Sequence, residues 1–91
     1  MLKIAVVDDE KVYIDQIQEY IRQYSAEKKR EIQTETFCDG SALLENYSTR
    51  FDIILLDIEM GKMNGMETAR EIRKKDQDVV LVFITNMAQY A

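Results

Sequence analysis

The chain contains no histidine, which removes histidine-dependent triads, histidine-ligated metals and imidazole acid–base chemistry at once. Any chemistry must therefore rest on carboxylates and hydroxyls. Four such side chains stand at telling positions: Asp8 and Asp9 follow the apolar run Leu2 to Val7, Asp57 follows Phe51 to Leu56, and Thr85 follows Val79 to Ile84. Each run is short, rich in β-branched residues and cut off abruptly by a polar group, as a buried parallel strand is on reaching the edge of its sheet.

If these runs are neighbours in one parallel sheet, their carboxyl ends share one edge, and ligands bind outside that edge where the strand order reverses. Carboxylates ~4 Å apart repel by roughly 4 kcal/mol per pair at an effective dielectric near 20, so a cluster needs a cation or raised pKa values. A divalent cation is the economical solution. All-oxygen ligation with few protein ligands suits Mg²⁺, which keeps several waters and accepts a phosphate oxygen. A screened aspartate can then act as a nucleophile toward phosphorus while Thr85 offers its hydroxyl to a phosphoryl oxygen. The plainer alternative is that these residues only cap helices. It has force for Asp9, which directly precedes a helical pattern. It has less for Asp57, because the stretch from Gly61 to Gly65 separates it from Asn64, the better cap.

The elements that position these residues are legible in the apolar spacing. From Lys11 onward, Ile14, Ile17, Ile21 and Tyr24 form a helical stripe with Asp15, Gln18 and Arg22 on other faces. Ile32 to Phe37 reads as a strand, and Asp39 is placed to cap a short helix through Tyr47. Asn64 followed by Glu67 resembles a capping box opening a helix through Lys75, with Met66, Ala69 and Ile72 on its inner face. Strands alternating with helices imply βαβ units and an α/β domain with a parallel sheet covered on both faces.

Composition narrows the function classes. At 91 residues the chain makes one small domain, 46% hydrophobic and 32% charged without proline, the profile of a compact cytosolic domain. Its longest apolar stretch, Val79 to Ile84, is far short of the ~20 residues a membrane helix needs. A net charge of −5 argues against this segment gripping nucleic acid, and the basic run Lys28-Lys29-Arg30, flanked by Glu27 and Glu31, reads as a solvated turn. The single cysteine, Cys38, can form neither an internal disulfide nor a structural zinc site and is expected to be a small buried core residue.

Three pieces together, I-A-V-V-D-D-E near the start, I-I-L-L-D-I-E-M with N-G-M-E after it, and V-V-L-V-F-I-T, resemble the receiver domains of bacterial two-component response regulators over the whole chain. The resemblance implies a flavodoxin-like (CheY-like) doubly wound sheet in the order 2-1-3-4. It implies that Asp57 is the phosphoacceptor and that Asp9 ligates Mg²⁺ directly, with Asp8 acting mainly through a bound water. The backbone carbonyl of Glu59 matches the third protein ligand, Thr85 the switch hydroxyl, and Gly65 a loop glycine where an unusual backbone angle is expected. The phosphoryl donor implied is a sensor histidine kinase. The wording D-I-E-M, N-G-M-E and the ending N-M-A-Q-Y-A are most similar to receivers attached to LytTR-type, LytR/AgrA-like DNA-binding domains, so DNA would be contacted only through an effector outside this chain.

Some positions depart from the family. Gly61 stands where a proline is usual, and Asn86 where a smaller residue often follows the switch hydroxyl. Family receivers continue through a fourth helix, a fifth strand with a phosphoryl-pairing lysine and a fifth helix; no lysine follows Lys75 here. The chain is accordingly expected to be a truncated receiver over residues 1–91. Its fourth strand would then be a long, apolar, uncharged edge that recruits another copy through strand pairing or exchange of elements.

Two other readings stay in view. A Mg²⁺-dependent phosphohydrolase of the haloacid-dehalogenase type wants D-x-D after its first strand, and this chain has Asp8-Asp9-Glu10. A binding module, such as a pseudo-receiver that interacts without phosphorylation, is the second; a dinucleotide fold would show G-x-G-x-x-G after the first strand, which is absent.

Overall fold

The computed structural model describes residues 1–85. Seven elements alternate along them: β1 (Leu2–Val7), α1 (Lys11–Lys28), β2 (Ile32–Phe37), α2 (Gly40–Leu44), β3 (Ile53–Asp57), α3 (Gly65–Lys75) and β4 (Val80–Ile84). All three strand pairings are parallel and the order across the sheet is β2-β1-β3-β4, as the resemblance implied. The first crossover runs outward from β1 to β2 and the next returns past β1 to β3. The reversal of strand order therefore falls between β1 and β3, whose ends carry the acidic residues.

Alternation of side chains along the strands divides the core in two. Ile4 and Val6 point to one face, where Ile14, Ile17 and Ile21 of α1 pack on them. Ala5, Val7, Ile54 and Leu56 point to the other, beneath Leu43 of α2 and Ala69 and Ile72 of α3. Each fully buried leucine or isoleucine here would cost about 2–5 kcal/mol if cut to alanine. Tyr24 lies outside the inner stripe expected of it and is exposed, because the helix turns it onto a flank.

Local signals account for the helix ends. The carboxylate of Asp39 accepts from the Ala42 N–H at 2.7 Å, so it caps α2 as its type suggests. The helix stops at Leu44, three residues before the expected Tyr47, because the chain turns at Asn46 with φ of 58° and sends Tyr47 inward. In α3 the capping box is complete. Asn64 accepts from the Glu67 N–H at 2.9 Å, and Glu67 accepts from the Asn64 N–H at 3.1 Å. Arg73, Lys74 and Lys75 fill its last turn, where cations meet the negative end of the helix dipole. Met66 is exposed, contrary to the expected inner face; Thr68 takes the buried place beside Ala69 and Ile72. A Cβ on Gly40 would lie 2.0 Å from the Thr68 hydroxyl oxygen, so α2 approaches α3 closely only because glycine is there. Cys38 is exposed, not a core residue, since it lies one step past the end of β2, an edge strand.

One buried polar contact pins the entry into β4. The hydroxyl of Tyr47 donates to Asp76 Oδ2 at 2.7 Å, while Asp76 Oδ1 accepts from the N–H groups of Asp78 and Val79. Donation from Tyr47 is the main cause that holds the Asp76 carboxyl below its ordinary range, against the opposing effect of burial. A group lowered in this way contributes stability above its unfolded pKa and loses it as pH falls through the folded one. Tyr47→Phe is expected to cost about 1–3 kcal/mol at pH 7. Urea melts at pH 7 and pH 3 check it: the gap between variant and parent narrows at the acid end.

Candidate functional site

The topology places β3 between β1 and β4, so the ends of these three strands are neighbours on one edge of the sheet. Asp57 is the last residue of β3, Asp8 and Asp9 follow β1, and Thr85 follows β4. Backbone bonds hold the strand ends in this register: Asp8 N–H to Phe37 C=O at 3.1 Å and Ile58 N–H to Ile84 C=O at 3.1 Å. Convergence of the three endings is thus a product of parallel pairing.

Asp8, Asp9 and Asp57 each offer a carboxylate oxygen within 4.8 Å of the others. Asp8 and Asp57 are buried, while Asp9 reaches solvent. Burial raises the Asp57 pKa to about 6, and the charge of Asp8 adds to the rise, with smaller contributions from Asp9 and Glu59. A hydrogen bond from the Glu59 backbone N–H opposes it. Asp8 is also raised, mainly by burial, although its Oδ1 accepts from the Glu10 N–H at 2.9 Å. Two buried carboxylates held at this cost, with a third at the solvent mouth, form an all-oxygen donor set suited to a small hard divalent cation.

The capping alternative for Asp9 does not describe this site. The cap position of α1 is Glu10, which makes no side-chain cap bond, and the carboxylate that bonds the Glu10 N–H is Asp8. Asn64, not Asp57, caps α3.

The loop from Ile58 to Asn64 is closed by the Gly65 N–H donating to the Ile58 C=O at 2.9 Å. Gly65 has no left-handed backbone angle, contrary to expectation. Its requirement is steric: a Cβ would lie 2.3 Å from the Asp57 carbonyl oxygen. A Cβ at Gly61 would meet nothing within 4 Å, so that position is open. Asn86 and the ending from 86 to 91 lie outside the described residues.

Thr85 is exposed and lines a cavity of about 220 Å³ together with Asp8, Asp57, Ile84 and the α1 residues Tyr13, Gln16 and Ile17. Sequence reasoning did not single out Tyr13 and Gln16. The only available signal was their place in the first turns of the helix that follows Asp9, and a helix flank acquires meaning only once its neighbours are known.

A parallel α/β domain carrying a buried aspartate at the sheet's switch point, two acidic neighbours and a hydroxyl just past the adjoining strand defines a class of phosphoacceptor-like domains. Comparison with known proteins names it: the model of the response regulator receiver domain matches residues 4–91, and the chain belongs to that family. The sensory transduction protein LytT of Bacillus cereus is 37% identical over 93 aligned residues, covering the whole of this chain and 36% of LytT. The response regulator SaeR of Staphylococcus aureus is 28% identical, covering 98% of this chain and 36% of SaeR. This chain thus spans about a third of the length of these curated relatives. Among solved structures, the response regulator TrrA of Thermotoga maritima, in complex with Mg²⁺-BeF, superposes with a TM-score of 0.82 at 32% identity, over 99% of this chain and 74% of that one. Receiver domains of two-component response regulators are signalling phosphoacceptors and are not generally classed as enzymes. Among the described residues, no helix is long and apolar enough to cross a membrane.

The raised acidic pair has a measurable consequence. A carboxyl raised by folding favours the native state at low pH, and that advantage is lost as pH rises from about 3.8 through about 6 for Asp57. In chelator-treated buffer, Asp57→Asn is therefore expected to raise stability by roughly 1–3 kcal/mol at pH 7, at about 1.4 kcal/mol per pKa unit. It should raise stability little at pH 4, and a pH series of chemical melts reads the difference. Gly65→Ala is expected to lower stability by about 1–3 kcal/mol through the forced shift at Asp57.

Proposed function

We propose that residues 1–91 act as one cytoplasmic phosphoacceptor unit that takes a phosphoryl group onto Asp57 from a sensor histidine kinase. The observation that carries this reading is the burial of Asp57 among Asp8, Asp9 and the Glu59 backbone at the sheet's carboxyl edge. A carboxylate oxygen of Asp57 attacks phosphorus, the bond from phosphorus to the donor's imidazole nitrogen breaks, and an acyl phosphate forms. Asp9, Asp57 and Asp8, with the backbone carbonyl of Glu59, would hold Mg²⁺. Bound there, it would supply positive charge against the carboxylates and the incoming phosphoryl oxygens.

Thr85, just past the end of the strand beside Asp57, turns its hydroxyl to the phosphoryl oxygen, and the new charge repositions the neighbouring loops. The reader of that change is an effector outside these residues, of the DNA-binding, LytTR type that regulates transcription. The likeness to LytT supports this choice. Nucleic acid is contacted only through that effector, and at its β4 side the chain associates with a second copy.

Mass spectrometry after treatment with acetyl phosphate and Mg²⁺ tests the acceptor. One phosphoryl group per chain is expected, lost in Asp57→Asn; labelling that survives this substitution, or sustained turnover of p-nitrophenyl phosphate, would overturn the assignment. For the metal, Asp9→Asn is expected to weaken Mg²⁺ binding at least ~10-fold in calorimetric titration, about 1.4 kcal/mol.

A further inference from the structure

A backbone nitrogen can attack the side-chain carbonyl carbon of the residue before it, and a side chain on its own residue stands in the way. Of the three asparagines, Asn46 precedes Tyr47, Asn86 precedes Met87, and Asn64 precedes Gly65, which has no Cβ. Asp39 also precedes a glycine, Gly40, but a carboxylate already bears negative charge and resists such attack. The fold does not allow Gly65 to be exchanged, because a Cβ there would lie 2.3 Å from the Asp57 carbonyl oxygen. Capping of α3 would be served as well by aspartate or serine as by asparagine. Packing against Asp57 thus fixes the reactive partner, and the amide it can attack stands exposed to water.

The structure activates one partner in this reaction and restrains the other. Oδ1 of Asn64 accepts from the Glu67 N–H at 2.9 Å, so this donor and the positive end of α3 polarise the side-chain carbonyl toward attack. The nucleophile is held back. The Gly65 N–H donates to the Ile58 C=O at 2.9 Å, which keeps its proton engaged and closes the loop that follows Asp57. Asn64 also donates its own N–H to Glu67 Oε1 at 3.1 Å. Its backbone carbonyl accepts from the Thr68 N–H at 3.0 Å and from the Thr68 hydroxyl at 2.9 Å. Ring closure requires the Gly65 nitrogen to leave Ile58 and swing toward Asn64 Cγ, so it waits on opening of the loop.

We infer that Asn64 is a site of spontaneous deamidation gated by the loop from Ile58 to Asn64, and that the isoaspartate it yields disables Asp57 as an acceptor. When the loop opens, the Gly65 N–H gives its proton to solvent base and the bond from nitrogen to Asn64 Cγ forms. The bond from Cγ to Nδ2 breaks, and ammonia leaves with a proton from solvent. Water then opens the succinimide: attack at Cγ gives aspartate, and attack at the backbone carbonyl carbon gives isoaspartate, whose main chain runs through the former side chain. Nothing is oxidised or reduced. Aspartate keeps the cap and adds a negative charge that suits the helix N-terminus. Isoaspartate lengthens the main chain by one carbon, so the capping box is lost and Gly65 is displaced from its seat against Asp57. The site and its gate stand apart from the reading of Asp57 as phosphoacceptor, whereas the consequence rests on it.

Ageing the 91-residue chain in mildly alkaline buffer, folded and in concentrated urea, tests this by peptide mapping in a mass spectrometer and enzymatic methylation of isoaspartate. In urea Asn64 is expected to convert first among the three asparagines. In the folded chain it should convert at least ~10-fold more slowly, since reaction then waits on local opening. Glu67→Ala and Thr68→Val each remove one hydrogen bond to Asn64 and should raise the folded rate ~5-fold while leaving the rate in urea unchanged. Circular dichroism of both variants before ageing separates a looser loop from lost folding. Asn64→Asp should keep the parent's melt and its labelling by acetyl phosphate, whereas the isoaspartate fraction, enriched by chromatography, should label at least ~10-fold less. Asn46 or Asn86 converting ahead of Asn64 in urea overturns the site, and equal rates folded and unfolded overturn the gate. Full labelling of the isoaspartate fraction overturns the consequence. A parent that does not label overturns the acceptor reading and the consequence with it, while the site and its gate stand or fall on the rates.

Discussion

Repulsion among carboxylates that the backbone will not let separate is the constraint on which this molecule turns. Asp57 cannot move away from Asp8 because each closes a strand of the same rigid parallel sheet, and their registers are locked by Ile4↔Ile53 through Val7↔Leu56. Solvent cannot fully relieve the pair, since both are buried. Burial first, and the neighbouring charge of Asp8 second, raise the Asp57 pKa to about 6. A proton or a cation at that point relieves the cost.

The surrounding structure is organised to keep that point from relaxing. Gly65 lets the loop after Asp57 fold back against the Asp57 carbonyl, and its N–H bond to Ile58 holds the loop there. The Asn64–Glu67 capping box fixes where α3 starts, and Ile72 and Ala69 anchor the helix beneath the sheet. At the far end of α3, the Tyr47–Asp76 contact sets where β4 begins, which in turn decides that Thr85 emerges beside Asp57. Distant packing and local chemistry are thus linked through strand register, where a slip of one residue would turn every inward side chain outward.

Much of this was written locally. The runs ending at Asp8, Asp57 and Thr85, the capping box at Asn64 and the cap at Asp39 are short-range patterns whose physics is complete within a few residues; the caps form as expected, while the third strand starts at Ile53 rather than Phe51 and takes in Asp57, and the fourth starts at Val80 rather than Val79. The errors have a common origin. Met66 and Tyr24 were assigned to inner faces by periodicity, and Cys38 to the core by type, yet which way a side chain points depends on the neighbour across the interface. The unusual backbone angle that the family resemblance implies at Gly65 is absent; the carbonyl oxygen of Asp57, eight residues earlier, forbids a side chain there instead.

Residue types and spacing alone determined that any chemistry would be carboxylate and hydroxyl chemistry, and that the carriers would sit at strand ends; both follow from side-chain identity and local periodicity. Only the tertiary structure decided that Asp8 rather than Asp9 would be buried with Asp57, and that Tyr13 and Gln16 would border the site. Burial and proximity are properties of pairs of segments far apart in the chain, and no pattern within one segment encodes what another will bring against it.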